Sequence, residues 1–302
     1  CALPIFYGLA GNALDPTVSA QIYKVKGRPS DNPLIVHIAD IKELPALVEE
    51  IPEAAKKLAD AFWPGPLTII MKKSPLVPMQ TTGGLDTVAV RMPSDPTARA
   101  IINAAGVPLA APSANLSGLP SPTSFPHVCD DLMGRVDGIV NGGDCEVGIE
   151  STIIDCSRGV PVLLRPGAIT PEAIWQKLQV RVQSQAAAAG AAPQAPGTLA
   201  AHYAPRASLR LMGAADMQAA LDVLGKDAPA IGIWSRTPLR SPSRQVLLTP
   251  MPVQAAEAAQ ALFAQLRAFD AAGVRLIWIE TPPPTQDWEG VRDRLQRAAA
   301  AA

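Results

Sequence analysis

The chain has 302 residues, enough for two ordinary domains with a core each. Hydrophobic residues make up 48% and charged residues 18%, which excludes a disordered chain. With 26 basic and 27 acidic residues the net charge is −1, so the basic excess of a nucleic-acid-wrapping protein is missing and any anion site must concentrate its positive charge locally.

No apolar run approaches the ~20 residues that cross a bilayer. The opening Cys1 to Phe6 lacks a basic segment and carries Pro4 within its short apolar stretch, so no secretory signal is expected. Cys1, Cys129, Cys145 and Cys156 show no C-x-x-C spacing and the three histidines are scattered. That argues against zinc and for isolated thiols in a reducing cytoplasm.

The first informative stretch is Tyr-Lys-Val-Lys-Gly-Arg-Pro-Ser-Asp-Asn-Pro at 23–33. Read as an extended segment, it alternates Lys24, Lys26 and Arg28 on one side, where they can converge on a polyphosphate. Gly27 removes bulk where a ligand approaches. A solvated basic loop fits the same spacing. Residues 34–38 read as a buried strand with His37 in its middle; a lone histidine in a strand is more often a core residue than a ligand contact.

Helices are expected at 53–62 and 96–105. The second has Asp95 as N-cap, Pro96 at its first position and Gly106 just past its end. Apolar runs at 67–71, 87–91, 107–111 and 138–140 read as strands, and 151–155 with 160–164 as a hairpin across 157–159. The strand at 107–111 runs into Pro-Ser-Ala-Asn-Leu-Ser-Gly-Leu-Pro-Ser-Pro, where Ser113, Asn115, Ser117 and Ser121 offer donors and acceptors at a strand's carboxyl end. An ordinary Ser/Pro turn has the same composition. Asp144, Glu146 and Glu150 favour Mg²⁺ or an ammonium group, although surface charge is the default for Asp144 and Glu146. Ser151 and Thr152 follow at once, and Arg165 leaves the hairpin beside Pro-Gly.

Residues 183–197 carry no charge and no large apolar side chain, a linker composition. His202 and Tyr203 follow between prolines, either as a lid or as a staple onto a domain surface. Beyond them strands at 209–211, 230–234 and 274–279 alternate with helices near 214–224, 253–271 and 288–300. Three β-α units predict a small parallel sheet; without G-x-G-x-x-G no dinucleotide site is assigned to it.

Taken in order, Lys-Gly-Arg-Pro-Ser-Asp-Asn-Pro-Leu, Pro-Gly-Pro-Leu-Thr at 64–68, Val-Ala-Val-Arg-Met-Pro, Pro-Ser-Ala-Asn-Leu-Ser-Gly, Glu-Ser-Thr-Ile-Ile-Asp, Leu-Arg-Pro-Gly and His-Tyr-Ala-Pro resemble the threonylcarbamoyl-AMP synthase family, the YrdC-like enzymes in their long two-domain form. The resemblance is dense over 7–205. It implies an α/β architecture: a YrdC-like twisted mixed sheet with a deep cleft over 1–182, a linker or lid over 183–206, and a small Rossmann-like parallel domain over 207–302.

It also implies site residues. Lys26, Arg28, Ser113 and Asn115 would be catalytic. Arg28, Asn32, Thr87, Ser113, Ser121, Arg165 and Tyr203 would hold ATP, and His37, Arg91, Ala111 and Ser151 would hold threonine. The implied partners are ATP with Mg²⁺, L-threonine, bicarbonate and a downstream transferase complex acting on tRNA, with at most a weak contact to double-stranded RNA and none to a membrane.

The family normally has Pro-Thr-Glu-Thr-Val-Tyr-Gly-Leu ahead of the Lys-Gly-Arg motif, whereas here Cys-Ala-Leu-Pro-Ile-Phe precedes Tyr7, and Ile5 stands where a substrate-touching threonine is usual. The resemblance therefore implies a chain truncated upstream, with residues 1–6 foreign, an unpaired sheet edge and weakened activity. Two other readings are a carbamoyltransferase of the hydrogenase-maturation type and a non-catalytic RNA-binding or ribosome-assembly factor. The first lacks its zinc-finger cysteines; net charge −1 and 4% aromatic residues weigh against the second.

Overall fold

The computed structural model describes residues 5–179, 181–184, 195–197 and 201–301. It divides into two compact units, residues 1–117 with 121–198 and residues 118–120 with 199–302.

The first unit is built on a mixed eight-stranded sheet. Its strands are β1 (Gly11–Asn12), β2 (Ile35–His37), β3 (Leu67–Lys72), β4 (Thr87–Arg91), β5 (Leu109–Ala110), β6 (Thr152–Asp155), β7 (Val162–Arg165) and β8 (Gln183–Ser184), in the order β1-β5-β2-β4-β3-β6-β7-β8. The β2–β4, β3–β6 and β7–β8 pairs are parallel and the others antiparallel.

Both faces of the central strands are buried, which explains their near-continuous apolar sequences. One face, with Val36, Ile69, Met71, Val88, Val90 and Ile154, packs on α1 (Pro16–Lys26), α3 (Glu53–Phe62) and α6 (Pro171–Leu178) through Ile22, Leu58 and Ile174. The opposite face joins Ile35, Ile70, Ala89 and Ile153 to Val162, Leu164 and Ala195. Period-two alternation then puts His37, Thr68, Thr87 and Arg91 on that second face.

Local signals account for the helices. In α4 (Pro96–Ala105) the Asp95 carboxylate accepts from the Ala98 amide at 2.7 Å, and Gly106 closes the helix in the left-handed region at φ 65°. The expected extended run through Lys24, Lys26 and Arg28 is corrected: residues 16–26 are helical. Asp15 accepts from the Thr17 and Val18 amides, Pro16 takes the first position, and Gly27 ends the helix at φ 61°. Residues two apart on a helix point roughly 200° apart, so Lys24 faces solvent while Lys26 and, past the turn, Arg28 are buried.

Two further expectations change. Residues 138–140 form no strand, because no ladder partner lies beside them among the described residues. The linker stretch is not uniformly loose: Gln183 and Ser184 pair with β7, and Ala195 is buried in the second face, while 185–194 lie outside the described residues. Ile5 and Phe6 are buried against Ala98 and Val147. Among the described residues β1 is an edge strand, paired with β5.

The second unit is a four-stranded parallel sheet in the order β11-β10-β12-β9, from β9 (Ser208–Met212), β10 (Ile231–Ser235), β11 (Val246–Pro250) and β12 (Leu276–Glu280). Strand β11 adds to the three expected. It is a half-exposed edge ending in proline, so neither alternation nor burial marks it. Helix α8 (Ala255–Ala271) lies so close to β10 that a Cβ at Gly232 would meet the Phe269 ring at 2.5 Å. At the carboxyl ends of β10 and β12, Glu280 accepts from Ser235 Oγ and the Arg236 and Thr237 amides, each at 2.8–2.9 Å. Among the described residues no helix is long and apolar enough to cross a membrane.

Candidate active site

The second face of the large sheet gathers the charged residues. Parallel pairing sets His37 of β2 opposite Arg91 of β4. The antiparallel β3–β4 register, with Ile69 opposite Val90, carries on one step to Thr68 opposite Arg91. Three polar side chains therefore neighbour one another on a floor of Ile35, Ala89, Ile70 and Ile153. Ala111 continues that floor, its amide donating to the Ile35 carbonyl at 3.1 Å.

Arg91 is 1% exposed. Its Nε donates to the Gly65 carbonyl at 3.0 Å, and one terminal nitrogen has no partner. Burial, then the repulsion of Arg165, push its pKa down to about 9, so it remains charged at neutral pH. His37 is the complement. Burial, then the Arg91 charge, push its pKa down to about 3. Neutral, it donates from Nδ1 to the Ile35 carbonyl at 3.1 Å and leaves Nε2 as a buried acceptor without a partner. An unsatisfied cation beside an unsatisfied acceptor suits a ligand with a carboxylate and a nearby N–H or O–H.

A second group surrounds the Lys-Gly-Arg turn. Lys26, 2% exposed, donates to the carbonyls of Ser113 and Asn115, the latter at 2.5 Å. Burial, then Arg28, lower its pKa well below the usual lysine value. Arg28 donates to the Asn32 side-chain oxygen at 2.6 Å and to the Asn32 and Pro33 carbonyls; the Asn32 side-chain nitrogen is buried without a partner. Thr87 is buried on the same face of β4 as Arg91, about 13 Å along the strand from it. It lies at the end from which β2 is entered past Asn32 and Pro33. Among the described residues Lys26 and Arg91 thus bond neutral carbonyls, not carboxylates.

A third group joins β6, β7 and the turn after them. Arg165 donates from Nε to the Ser151 carbonyl at 3.1 Å, from one terminal nitrogen to Ser151 Oγ at 3.1 Å, and from the other to the Pro196 carbonyl at 2.7 Å. Ser151 Oγ lies 2.7 Å from Thr68 Oγ1. Gly167 lets this turn close, since a Cβ there would meet the Thr152 amide nitrogen at 2.5 Å. Ser121 Oγ donates to the buried Glu150 carboxylate at 2.5 Å, whereas Asp144 and Glu146 are exposed.

The structure thus gathers twelve of the thirteen sequence-predicted residues in the first unit. Tyr203 belongs to the second, where its ring packs on Phe263 with centroids 5.4 Å apart and beneath the Arg294 guanidinium. Thr68 carried no role in the sequence reading, although it ends the quoted Pro-Gly-Pro-Leu-Thr motif. Burial pushes the thiols of Cys145 and Cys156 up to about 12, so neither serves as a nucleophile.

Comparison with known proteins identifies the family. The Sua5/YciO/YrdC family model, described as "Telomere recombination", matches residues 5–167, and the "Threonylcarbamoyl-AMP synthase, C-terminal domain" model matches 169–300. The threonylcarbamoyl-AMP synthase of Bacillus subtilis is 41% identical over 307 residues, covering 97% of this chain and 86% of that protein. The chain belongs to the threonylcarbamoyl-AMP synthase family. The Pyrococcus abyssi synthase is likewise 41% identical, over 97% of this chain and 87% of its own length. A crystal structure of P. abyssi Sua5 complexed with L-threonine matches with a TM-score of 0.90 at 38% identity, covering 98% of this chain and 88% of that one. Membership makes the chain a nucleotidyl-type transferase, and it decides for the synthase over the RNA-binding and hydrogenase-maturation readings.

Proposed function

We propose that the chain condenses L-threonine, bicarbonate and ATP into threonylcarbamoyl-AMP, releasing pyrophosphate, in the cytoplasm. The product would pass to the transferase complex that modifies tRNA adenosine. The observation that carries this reading is the buried pair of Arg91, a cation with an unpartnered nitrogen, and His37, a neutral acceptor with an unpartnered Nε2. The P. abyssi relative crystallised with L-threonine supports the choice of amino acid.

In this reading Arg91 takes the threonine carboxylate, and His37 Nε2 accepts from its amine or hydroxyl, with Ala111 and Ser151 lining the pocket. The amine attacks bicarbonate carbon and water leaves, giving a carbamate. A carbamate oxygen then attacks the α-phosphorus of ATP; the bond to the bridging oxygen breaks and pyrophosphate departs. The carbamate is itself the nucleophile, so the protein supplies position and positive charge rather than a covalent intermediate. Lys26, Arg28, Asn32 and Thr87 serve the phosphates, and Lys26 also holds the Ser113–Asn115 carbonyls that shape their edge. Arg165 and Ser121 would contact the nucleotide. Mg²⁺ accompanying ATP would neutralise phosphate charge beside Lys26 and Arg28. Free thiols at Cys129, Cys145 and Cys156 support a reducing compartment.

Calorimetric titration tests the reading: threonine and MgATP each bind, and threonine changes the affinity for ATP. ATP binding that ignores threonine would contradict it.

A further inference from the structure

Thr68, Ser151 and Arg165 form a hydrogen-bond chain with an open end. Arg165 donates to Ser151 Oγ at 3.1 Å, and Ser151 Oγ lies 2.7 Å from Thr68 Oγ1. A guanidinium only donates, so it fixes the sense of the chain at its first link. If Ser151 turns its own hydrogen to Thr68, as a polarised chain favours, the Thr68 hydrogen has no acceptor among the described residues. Both residues are fully buried, and among the described residues the only other hydroxyl bond of the pair is the one from Arg165. An unmatched hydroxyl hydrogen in a dry site calls for an acceptor from outside the chain.

The sheet register says where that acceptor sits. Thr68 is the cross-strand neighbour of Arg91 on the same face, and such neighbours have Cβ atoms roughly 5 Å apart. The Arg91 nitrogen without a partner belongs to the same neighbourhood. Arg91 and Arg165 are close enough for the second to oppose the charge of the first. An acceptor that reached the Thr68 hydroxyl would therefore lie near two cations, where an anionic oxygen gains most.

We propose that Thr68 is a further substrate-binding residue, its hydroxyl donating to the carboxylate that Arg91 holds. This rests on the amino-acid reading of the His37–Arg91 pair. Ser151 and Arg165 then act on the substrate partly through Thr68, relaying the Arg165 charge into the threonine pocket.

The test is calorimetric titration of threonine and, separately, MgATP into the full chain and its Thr68→Val, Thr68→Ala and Thr68→Ser variants, with folding checked by circular dichroism. Valine keeps the shape and removes the donor, alanine guards against a clash, and serine restores the hydroxyl. Loss of one hydrogen bond to a charged group predicts threonine binding weaker by about 10- to 100-fold in the valine and alanine variants. ATP affinity should stay within about threefold and the serine variant within about threefold of wild type, a split that a packing defect would not produce. Unchanged threonine affinity in Thr68→Val, or equal losses for threonine and ATP in all three variants, overturns the proposal while leaving the synthase reading intact. A wild-type chain that binds no threonine overturns the amino-acid reading and the proposal with it.

Discussion

Replacing Arg91 with methionine separates function from stability at one position. The guanidinium is buried, bonds one neutral carbonyl and lacks a carboxylate partner. A charge-assisted bond to a ligand carboxylate contributes about 1.5–3 kcal/mol, so Arg91→Met weakens threonine binding by about 10- to 100-fold. Folding should respond in the opposite sense. Holding the proton at a pKa of about 9, well below the ordinary guanidinium range, costs the folded state several kcal/mol, at ~1.4 kcal/mol per unit. Losing the bond to the Gly65 carbonyl returns roughly 1–3 kcal/mol of that. Buried charges replaced by apolar side chains of similar volume are commonly neutral to stabilising by about 1–4 kcal/mol. Calorimetric titration with threonine and urea unfolding of both proteins without ligand measure the two effects. A variant that unfolds more easily yet binds threonine as wild type does would show that Arg91 is a structural cation, and would refute the reasoning.

Two further outcomes follow from the same face of the sheet. His37 stays neutral in the fold down to about pH 3 but titrates near 6.5 when unfolded; between these values the unfolded chain binds the extra proton, so this group removes ~1.4 kcal/mol of stability per pH unit as pH falls. His37→Leu should flatten that slope in urea midpoints measured from about pH 7 to about pH 4, and parallel slopes would contradict it. In Gly167→Ala the new Cβ would lie 2.5 Å from the Thr152 amide nitrogen and 2.7 Å from the Glu150 carbonyl oxygen. Backbone must move, at a cost of about 1–3 kcal/mol, and threonine affinity falls with the displaced Ser151; unchanged melting and binding would show that the turn has slack.

Much of the fold was legible where local chemistry is strong. The ends of α3 and α4 agree with their sequence signals, and β4 is the apolar run at 87–91. What was misread depended on neighbours. The alternating cations at 24–28 suggest an extended segment, yet Asp15 and Pro16, nine and eight residues upstream of Lys24, had already started a helix. Residues 138–140 have strand composition without a ladder partner, and β11 is paired without strand-like burial. The candidate site follows the same division. Its motifs carry the cations, because Lys-Gly-Arg and Leu-Arg-Pro-Gly are local patterns. That His37 faces Arg91, and that Thr68 faces it from the other side, is set by strand pairing between distant segments. Thr68 lies inside an apolar run, where a threonine reads as a β-former. Its hydroxyl gained meaning only once Ser151 was found 2.7 Å away.

The most direct test of the central claim is mass spectrometry of a reaction containing the chain, MgATP, L-threonine and ¹³C-bicarbonate. The account predicts threonylcarbamoyl-AMP carrying one ¹³C, formed together with pyrophosphate and lost when threonine is omitted. Pyrophosphate release without a labelled adenylate, or no turnover beside a working synthase under the same conditions, would contradict it.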